Sequence, residues 1–367
     1  MEPFKNIYNQ SFFTRFIDGF RHVYPAFNKL VFLAAIYDSE WESRELKQRM
    51  RHISHTLHAQ LTNNYATNVE LILASIPYMK AQGFKANNLE FIIYPDYLEV
   101  YGMEAYAVSI SAMETITQFA SCEFAIRPFI IKYERDMLPQ LYRWTKHTSQ
   151  DVRRLASEGS RPRLPWAMAI ESVKKDPVGV LPILEALKND SSEYVRRSVA
   201  NNLNDISKDH PQKVIEIAQE WLGNSVSTDK LIKHACRTLL KQGNLQVMPL
   251  FGFGSVTMLK IHRFEVNTPT VKIGETLTFG FDFENTGIAN ELVRLEYGVY
   301  YQKANGTLSK KVYKISEKTY AAGTKSSVTR KQSFRVITTR KFHIGLHQVS
   351  LIINGVELRK CDFTLVK

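Results

Sequence analysis

Apolar residues recur at helical spacing through most of the first 245 positions. Leu46, Met50, Ile53 and Leu57 fall on one face of a helix, as do Val195, Val199, Leu203 and Ile206. Short breaks at Asn63-Asn64, Gln82-Gly83, Asp176-Pro177, Asp209-His210-Pro211 and Gly223-Asn224 punctuate this pattern. After Gly243 the period changes. Residues 243–255 hold Gly243, Gly252, Gly254 and Pro249 and read as a connector. Beyond it, Leu277, Phe279, Phe281 and Phe283 alternate with Thr276, Thr278, Gly280 and Asp282, the two-residue period of a strand with one buried face. Asn354-Gly355 between two apolar runs predicts a tight hairpin. Further strands are expected near Leu292–Tyr301, Lys311–Tyr320 and Ser333–Thr338. The expected fold class is mainly α: a HEAT-like α-helical solenoid over 1–250, followed by an immunoglobulin-like β-sandwich over 256–367 that lacks the paired cysteines and tryptophan of antibody domains.

The helical part contains a repeat. Asp151-Val-Arg-Arg-Leu-Ala156 returns as Tyr194-Val-Arg-Arg-Ser-Val-Ala200 and, more faintly, as Leu231-Ile-Lys-His-Ala-Cys-Arg237. Anchored on Val152, Val195 and Ile232, the copies are about forty residues apart, the period of helix pairs that stack because neither buries its apolar face alone. The two positions after the branched residue are basic in every copy: Arg153 and Arg154, Arg196 and Arg197, Lys233 and His234. They are expected to project toward a concave face.

Charge sharpens the picture. The formal net charge is +12, and from Val256 onward 18 Lys and Arg stand against 9 Asp and Glu, leaving about +3 for everything before. Between Lys303 and Lys341 there are eleven basic residues and one acid, Glu317. Such a field attracts polyanions, DNA foremost, although a basic face also serves solubility. No apolar run is long enough to span a bilayer, and the N-terminal residues lack a secretory pattern. Cys122, Cys236 and Cys361 are scattered and form neither a disulfide framework nor a paired motif. The expected form is a monomer in a bacterial cytoplasm, associated with the nucleoid and with no membrane partner.

Four segments carry a resemblance: Glu45-Leu-Lys-Gln-Arg-Met-Arg-His-Ile53, Glu123-Phe-Ala-Ile-Arg-Pro-Phe129, Asp151 through Trp166, and Val195 through Pro211. They resemble the AlkC branch of the HEAT-like DNA glycosylases over essentially the whole chain. The resemblance implies excision of alkylated bases, notably 3-methyladenine and 3-methylcytosine, from double-stranded DNA, with no metal and no organic cofactor.

The residues support such chemistry on their own terms. Breaking a glycosidic bond builds positive charge on the sugar, which a carboxylate stabilises, and a cationic methylated base leaves without a general acid. Glu158 is the first catalytic candidate. It ends a helix, where the dipole disfavours a carboxylate, so helix stability does not account for it; the alternative is a surface pair with Arg154. Glu123 is the second, its alternative being a first-turn role behind a Ser121 cap or a pair with Arg127. Arg127 precedes Pro128, which biases it away from helix. Asp205 is the third, expected on the exposed side of its helix with Arg197, Asn201 and Asn204, where scaffold and site readings are equally open.

Arg153, Arg154, Arg161 and Arg163 are expected to cradle phosphate, with Arg127, Arg196, Arg197 and Lys233 as further DNA contacts. Trp166, placed at the start of a helix after Pro165, is expected to stack on a nucleotide or wedge the duplex. Trp144 and Trp221 read as core. His52, His55 and His58 have metal-like spacing, but no carboxylate or cysteine completes a set, and Cys122 has no histidine nearby to make it a nucleophile. A non-catalytic helical scaffold for DNA or protein is the competing reading; it gives no reason for Glu123 and Glu158 among arginines. A nuclease lacks acids at metal-binding spacing.

Overall fold

The computed structural model describes residues 3–86, 88–337 and 340–367. It divides into two compact units, Met1–His210 with Trp221–Ala235 and Pro211–Glu220 with Cys236–Lys367.

Helices fill the first unit. Polar residues start them as the breaks implied: Asn64 caps Tyr65–Ala81 by accepting from the Thr67 amide at 3.0 Å, and Asn28 caps Lys29–Ile36 in the same way. The repeat register is visible in the packing. Val152, Val195 and Ile232 are all fully buried, on the helices Gln150–Gly159, Glu193–Ile206 and Val226–Ala235. The middle helix packs on both of the others. Polar contacts fix the first of these junctions: Ser157 donates to the Ser198 hydroxyl at 2.7 Å, and Asn202 donates to the Ser157 carbonyl at 2.8 Å. Gly159 ends its helix without a left-handed turn. A Cβ there would meet Ile126 Cγ2 at 2.6 Å, so close approach is what demands glycine. Trp144 and Trp221 are buried, as expected of core.

Among the described residues the second unit holds eight strands: β1 (Leu259–Val266), β2 (Thr270–Lys272), β3 (Thr276–Asn285), β4 (Glu291–Gln302), β5 (Leu308–Tyr320), β6 (Lys325–Ser333), β7 (Gly345–Ile353) and β8 (Val356–Val366). They form sheets ordered β1-β3-β6 and β2-β8-β7-β4-β5. Leu277, Phe279, Phe281 and Phe283 of β3 are buried and pack with Leu295, Val299, Val349 and Leu351 of the other sheet. Asn354 and Gly355 both take positive φ, 45° and 78°, as a two-residue hairpin with the favoured twist requires.

One strand differs from expectation. The strand before β7 is Lys325–Ser333, not Ser333–Thr338; beyond Ser333 only an isolated bridge joins Ile337 and Arg340, and Thr338 and Thr339 lie outside the described residues. β6 is a sheet edge whose sequence, Lys-Ser-Ser-Val-Thr-Arg-Lys-Gln-Ser, carries too few apolar residues to announce itself; its charges protect the open edge. No helix among the described residues is long and apolar enough to cross a membrane.

Candidate active site

The helix Gln150–Gly159 is set by Ser149, whose hydroxyl accepts from the Asp151 amide. Its register puts Val152 and Leu155 in the core and carries Arg154 and Glu158 on a face that opens into a pocket of about 440 Å³. Ser121, Glu123, Phe124, Arg161, Trp166 and Tyr194 also line that pocket.

A single ionic chain runs through it. Arg154 Nη1 donates to Glu123 at 2.5 Å and to the Ser121 hydroxyl at 3.1 Å, and Nη2 stands 3.6 Å from Glu158. Arg161 Nη1 meets Glu158 at 2.6 Å, and its Nε and Nη2 meet Asp205 at 2.8 and 2.7 Å. Lys208 closes the far end on Asp205 at 2.7 Å. Glu158, Arg161 and Asp205 are all buried, so Glu158 is no surface pair. Burial opposes the charge on Arg154, but Glu123 and Glu158 outweigh it and hold its pKa above the ordinary value. Burial is likewise outweighed at Arg161 by Glu158 and Asp205. Removing one member of such a buried set strands its partner, at a cost of about 3–5 kcal/mol.

The three predicted carboxylates therefore come together, with distinct surroundings. Glu123 and Glu158 line the pocket; Asp205 is buried behind Arg161 rather than on the exposed side of its helix. Glu123 lies in the turn before the helix Ile126–Lys132 rather than inside its first turn. Ser121 does not cap that helix; its hydroxyl donates to Glu123 at 3.0 Å.

The phosphate cradle is corrected. Arg154 and Arg161 are committed to carboxylates, Arg163 forms a forked pair with Asp209, and Arg153 forms one with Asp190 at 2.6 and 3.0 Å. Four guanidinia that sequence proximity grouped are each neutralised by an acid from elsewhere in the chain. Arg127 is also corrected. It sits inside the helix, with Pro128 tolerated in the first turn, and is fully buried. Its guanidinium donates to the carbonyls of Gly159, Arg161, Pro162 and Met168, pinning the loop after Glu158. Burial and the nearby Arg161 charge pull Arg127 down to about 10.

The repeat explains which basic residues reach a pocket. The first of each arginine pair folds back on the loop before its own helix: Arg153 onto the His147 and Thr148 carbonyls, Arg196 onto those of Asp190 and Ser191. The second lines a pocket: Arg154 the carboxylate pocket, and Arg197, with His234 of the third copy, a neighbouring pocket of about 400 Å³. Arg197 and Lys230 line the latter, both exposed and without an ion pair among the described residues. Lys233 is half-buried beside His234.

Trp166 is in a loop, not at a helix start; the next helix is Glu171–Lys175. Sequence reasoning missed Tyr194, whose ring lies 4.7 Å from the Arg154 guanidinium, and Ser121 as a partner of Glu123. The aligned repeat offered a signal for Tyr194, which precedes Val195 as Asp151 precedes Val152. His55 and His58 bond the hydroxyls of Tyr101 and Tyr97, and His52 bonds the Ala35 carbonyl. Burial pushes the Cys122 thiol up, which disfavours the nucleophilic thiolate.

In the second unit, Lys303, Lys311, Arg340 and Lys341 line a pocket of about 370 Å³, with Arg340 4.3 Å from the Tyr301 ring.

Residues 260–367 match the family model of the C-terminal Ig-like domain of the uncharacterised protein YhaZ. Over 363 residues, 99% of each chain, the sequence is 42% identical to uncharacterised protein YhaZ of Bacillus subtilis (strain 168). The solved structure of Pseudomonas fluorescens alkylpurine DNA glycosylase AlkC, bound to DNA containing an abasic site analogue, matches with a TM-score of 0.94 and 35% identity, covering all of both chains. On this full-length similarity, the chain belongs to the AlkC family.

Proposed function

We propose that this protein is a DNA glycosylase that hydrolyses the N-glycosidic bond of cationic alkylated bases, 3-methyladenine and 3-methylcytosine among them, in double-stranded DNA. The observation that carries this reading is the pair of carboxylates, Glu123 and Glu158, held in one pocket by a shared arginine. Full-length similarity to an alkylpurine DNA glycosylase bound to abasic-site DNA supports it.

The base leaves with the glycosidic electron pair, which neutralises its own positive charge, so no acid has to protonate it. Positive charge then builds at C1′ and the ring oxygen of the sugar. Glu123 and Glu158 stabilise that charge with little reorganisation, because Arg154 and Arg161 fix their oxygens beforehand. Water adds to C1′, one carboxylate accepts its proton, and the products are the free base and an abasic site. Asp205 is a positioning residue: it acts on Glu158 through Arg161. The HEAT-like array presents Arg197 and Lys230 to phosphates, and the basic run of the Ig-like domain adds further contacts.

The direct test incubates the protein with a duplex carrying one methylated base and cleaves with alkali. Strand scission at the modified position supports the reading; an intact strand with the DNA bound returns the protein to the scaffold class.

A further inference from the structure

Trp166 has φ of +66°, a left-handed conformation that bulky side chains rarely adopt and that persists only where surroundings impose it. Lys47, on the helix Leu46–Gln60, supplies such a restraint: its ammonium donates to the Trp166 carbonyl across 119 residues of sequence. The same ammonium stands 4.9 Å from the Phe124 ring and has no ion pair among the described residues. The indole is left 61% exposed, while Trp41, Trp144 and Trp221, the other tryptophans of the chain, are buried at 2–3%.

Trp166 borders two cavities. One is the carboxylate pocket; the other is a cleft of about 560 Å³ lined by Phe4, Lys5, Glu45, Leu46 and Lys47, in which Glu45 pairs with Lys5 at 3.1 Å. Phe4 is 59% exposed, its ring centre 6.4 Å from that of Trp166 and inclined by 66°. Two exposed rings and an ammonium thus sit beside the position where a nucleotide's sugar would meet Glu123 and Glu158.

We propose that the Phe4–Trp166 cleft is a stacking subsite for the nucleobase adjoining the damaged nucleotide, with Lys47 as a positioning residue that sets the indole through its carbonyl. This rests on the glycosylase reading. A strand distorted enough to bring a sugar to the carboxylates loses base stacking next to the lesion, and aromatic faces replace it. Every base has a π face, so the subsite tolerates any sequence. Continuity through Trp166 and the charge of Lys47 both favour a DNA strand as the occupant.

The test uses the full chain and a duplex with a tetrahydrofuran abasic analogue flanked by 2-aminopurine, an adenine analogue whose emission falls when it stacks. Binding should quench both 2-aminopurine and tryptophan emission. Phe4→Leu, which keeps an apolar side chain and removes the ring, should leave 2-aminopurine bright and weaken binding about tenfold, an effect within the range of a single base–aromatic stack. Phe4→Trp should restore both. Trp166→Leu should abolish the tryptophan quench. Unchanged 2-aminopurine emission and affinity in Phe4→Leu and Trp166→Leu would overturn the subsite, as would a tryptophan quench that survives Trp166→Leu. Release of base from a methylated duplex is measured separately: a wild-type protein that shows the Phe4-dependent quench yet releases no base keeps the subsite and loses the glycosylase reading.

Discussion

Two pockets share the helix Glu193–Ile206 and differ in what faces their arginines. In one, Arg154 and Arg161 are matched by Glu123, Glu158 and Asp205, and burial leaves the set little solvent. In the other, Arg197 and Lys230 are exposed and unpaired among the described residues, with Glu193 the one acid on the rim. Arg154 and Arg197 hold equivalent positions in the repeat, so the same scaffold serves two ends. Where acids answer the arginine, its charge is spent on holding carboxylates still, which under the proposed function suits the pocket to a developing cation. Where none answers, the proposed function assigns the charge to phosphate.

The largest effect separating the pockets is on chemistry. Glu123→Gln should slow single-turnover base release by about 10²–10³-fold, the scale of losing one fixed group at a developing charge, with little change in DNA affinity. Arg197→Ala should do the reverse, leaving the rate of the bound complex intact. A Glu123→Gln protein that turns over normally removes the distinction.

Next comes stability. Arg161→Met leaves Glu158 with only the longer contact to Arg154 and Asp205 with only Lys208, and chemical denaturation should show a loss of about 3 kcal/mol, the low end of the range for a broken buried pair. Adding Asp205→Asn should return part of that stability without restoring the rate. An additive double mutant would show that Arg161 does not couple the two acids.

Smaller effects belong to binding. The pair Arg197→Ala and Lys230→Ala should weaken affinity and flatten its salt dependence by about 0.9 in logarithmic slope for each phosphate no longer neutralised. Replacing Lys303, Lys311 and Lys341 with alanine should act in the same direction. Slopes equal to wild type would exclude these residues from phosphate binding. The smallest effect is expected at Cys122: its buried, protonated thiol should leave native activity untouched by iodoacetamide, and inactivation would put it in the chemistry.

What was legible in the sequence was local or periodic. Val152, Val195 and Ile232 announced three core positions, the phenylalanines of β3 announced a buried face, and Asn354-Gly355 announced its turn. Glu123, Glu158 and Asp205 stood out because acids among arginines have no obvious structural purpose. The partners of those arginines were not legible. Arg154 meets Glu123 across 31 residues, Arg161 meets Asp205 across 44 and Arg163 meets Asp209 across 46, separations that only the packing of one helix on the next brings together. The phosphate cradle failed for that reason. Arg127 failed because a helix-breaking signal at Pro128 applies weakly in a first turn. β6 was missed because an edge strand protects itself with the polar residues that disguise it.

Under the proposed function, fixed carboxylates release a methylated base without a metal. The decisive experiment is single-turnover release from a 3-methyladenine duplex after exhaustive EDTA dialysis, with wild type and Glu158→Gln compared at matched DNA occupancy. Full release by the wild type and a loss of at least about 10²-fold in the variant are expected. Equal rates for the two proteins, or release that returns only with added zinc, would contradict that function.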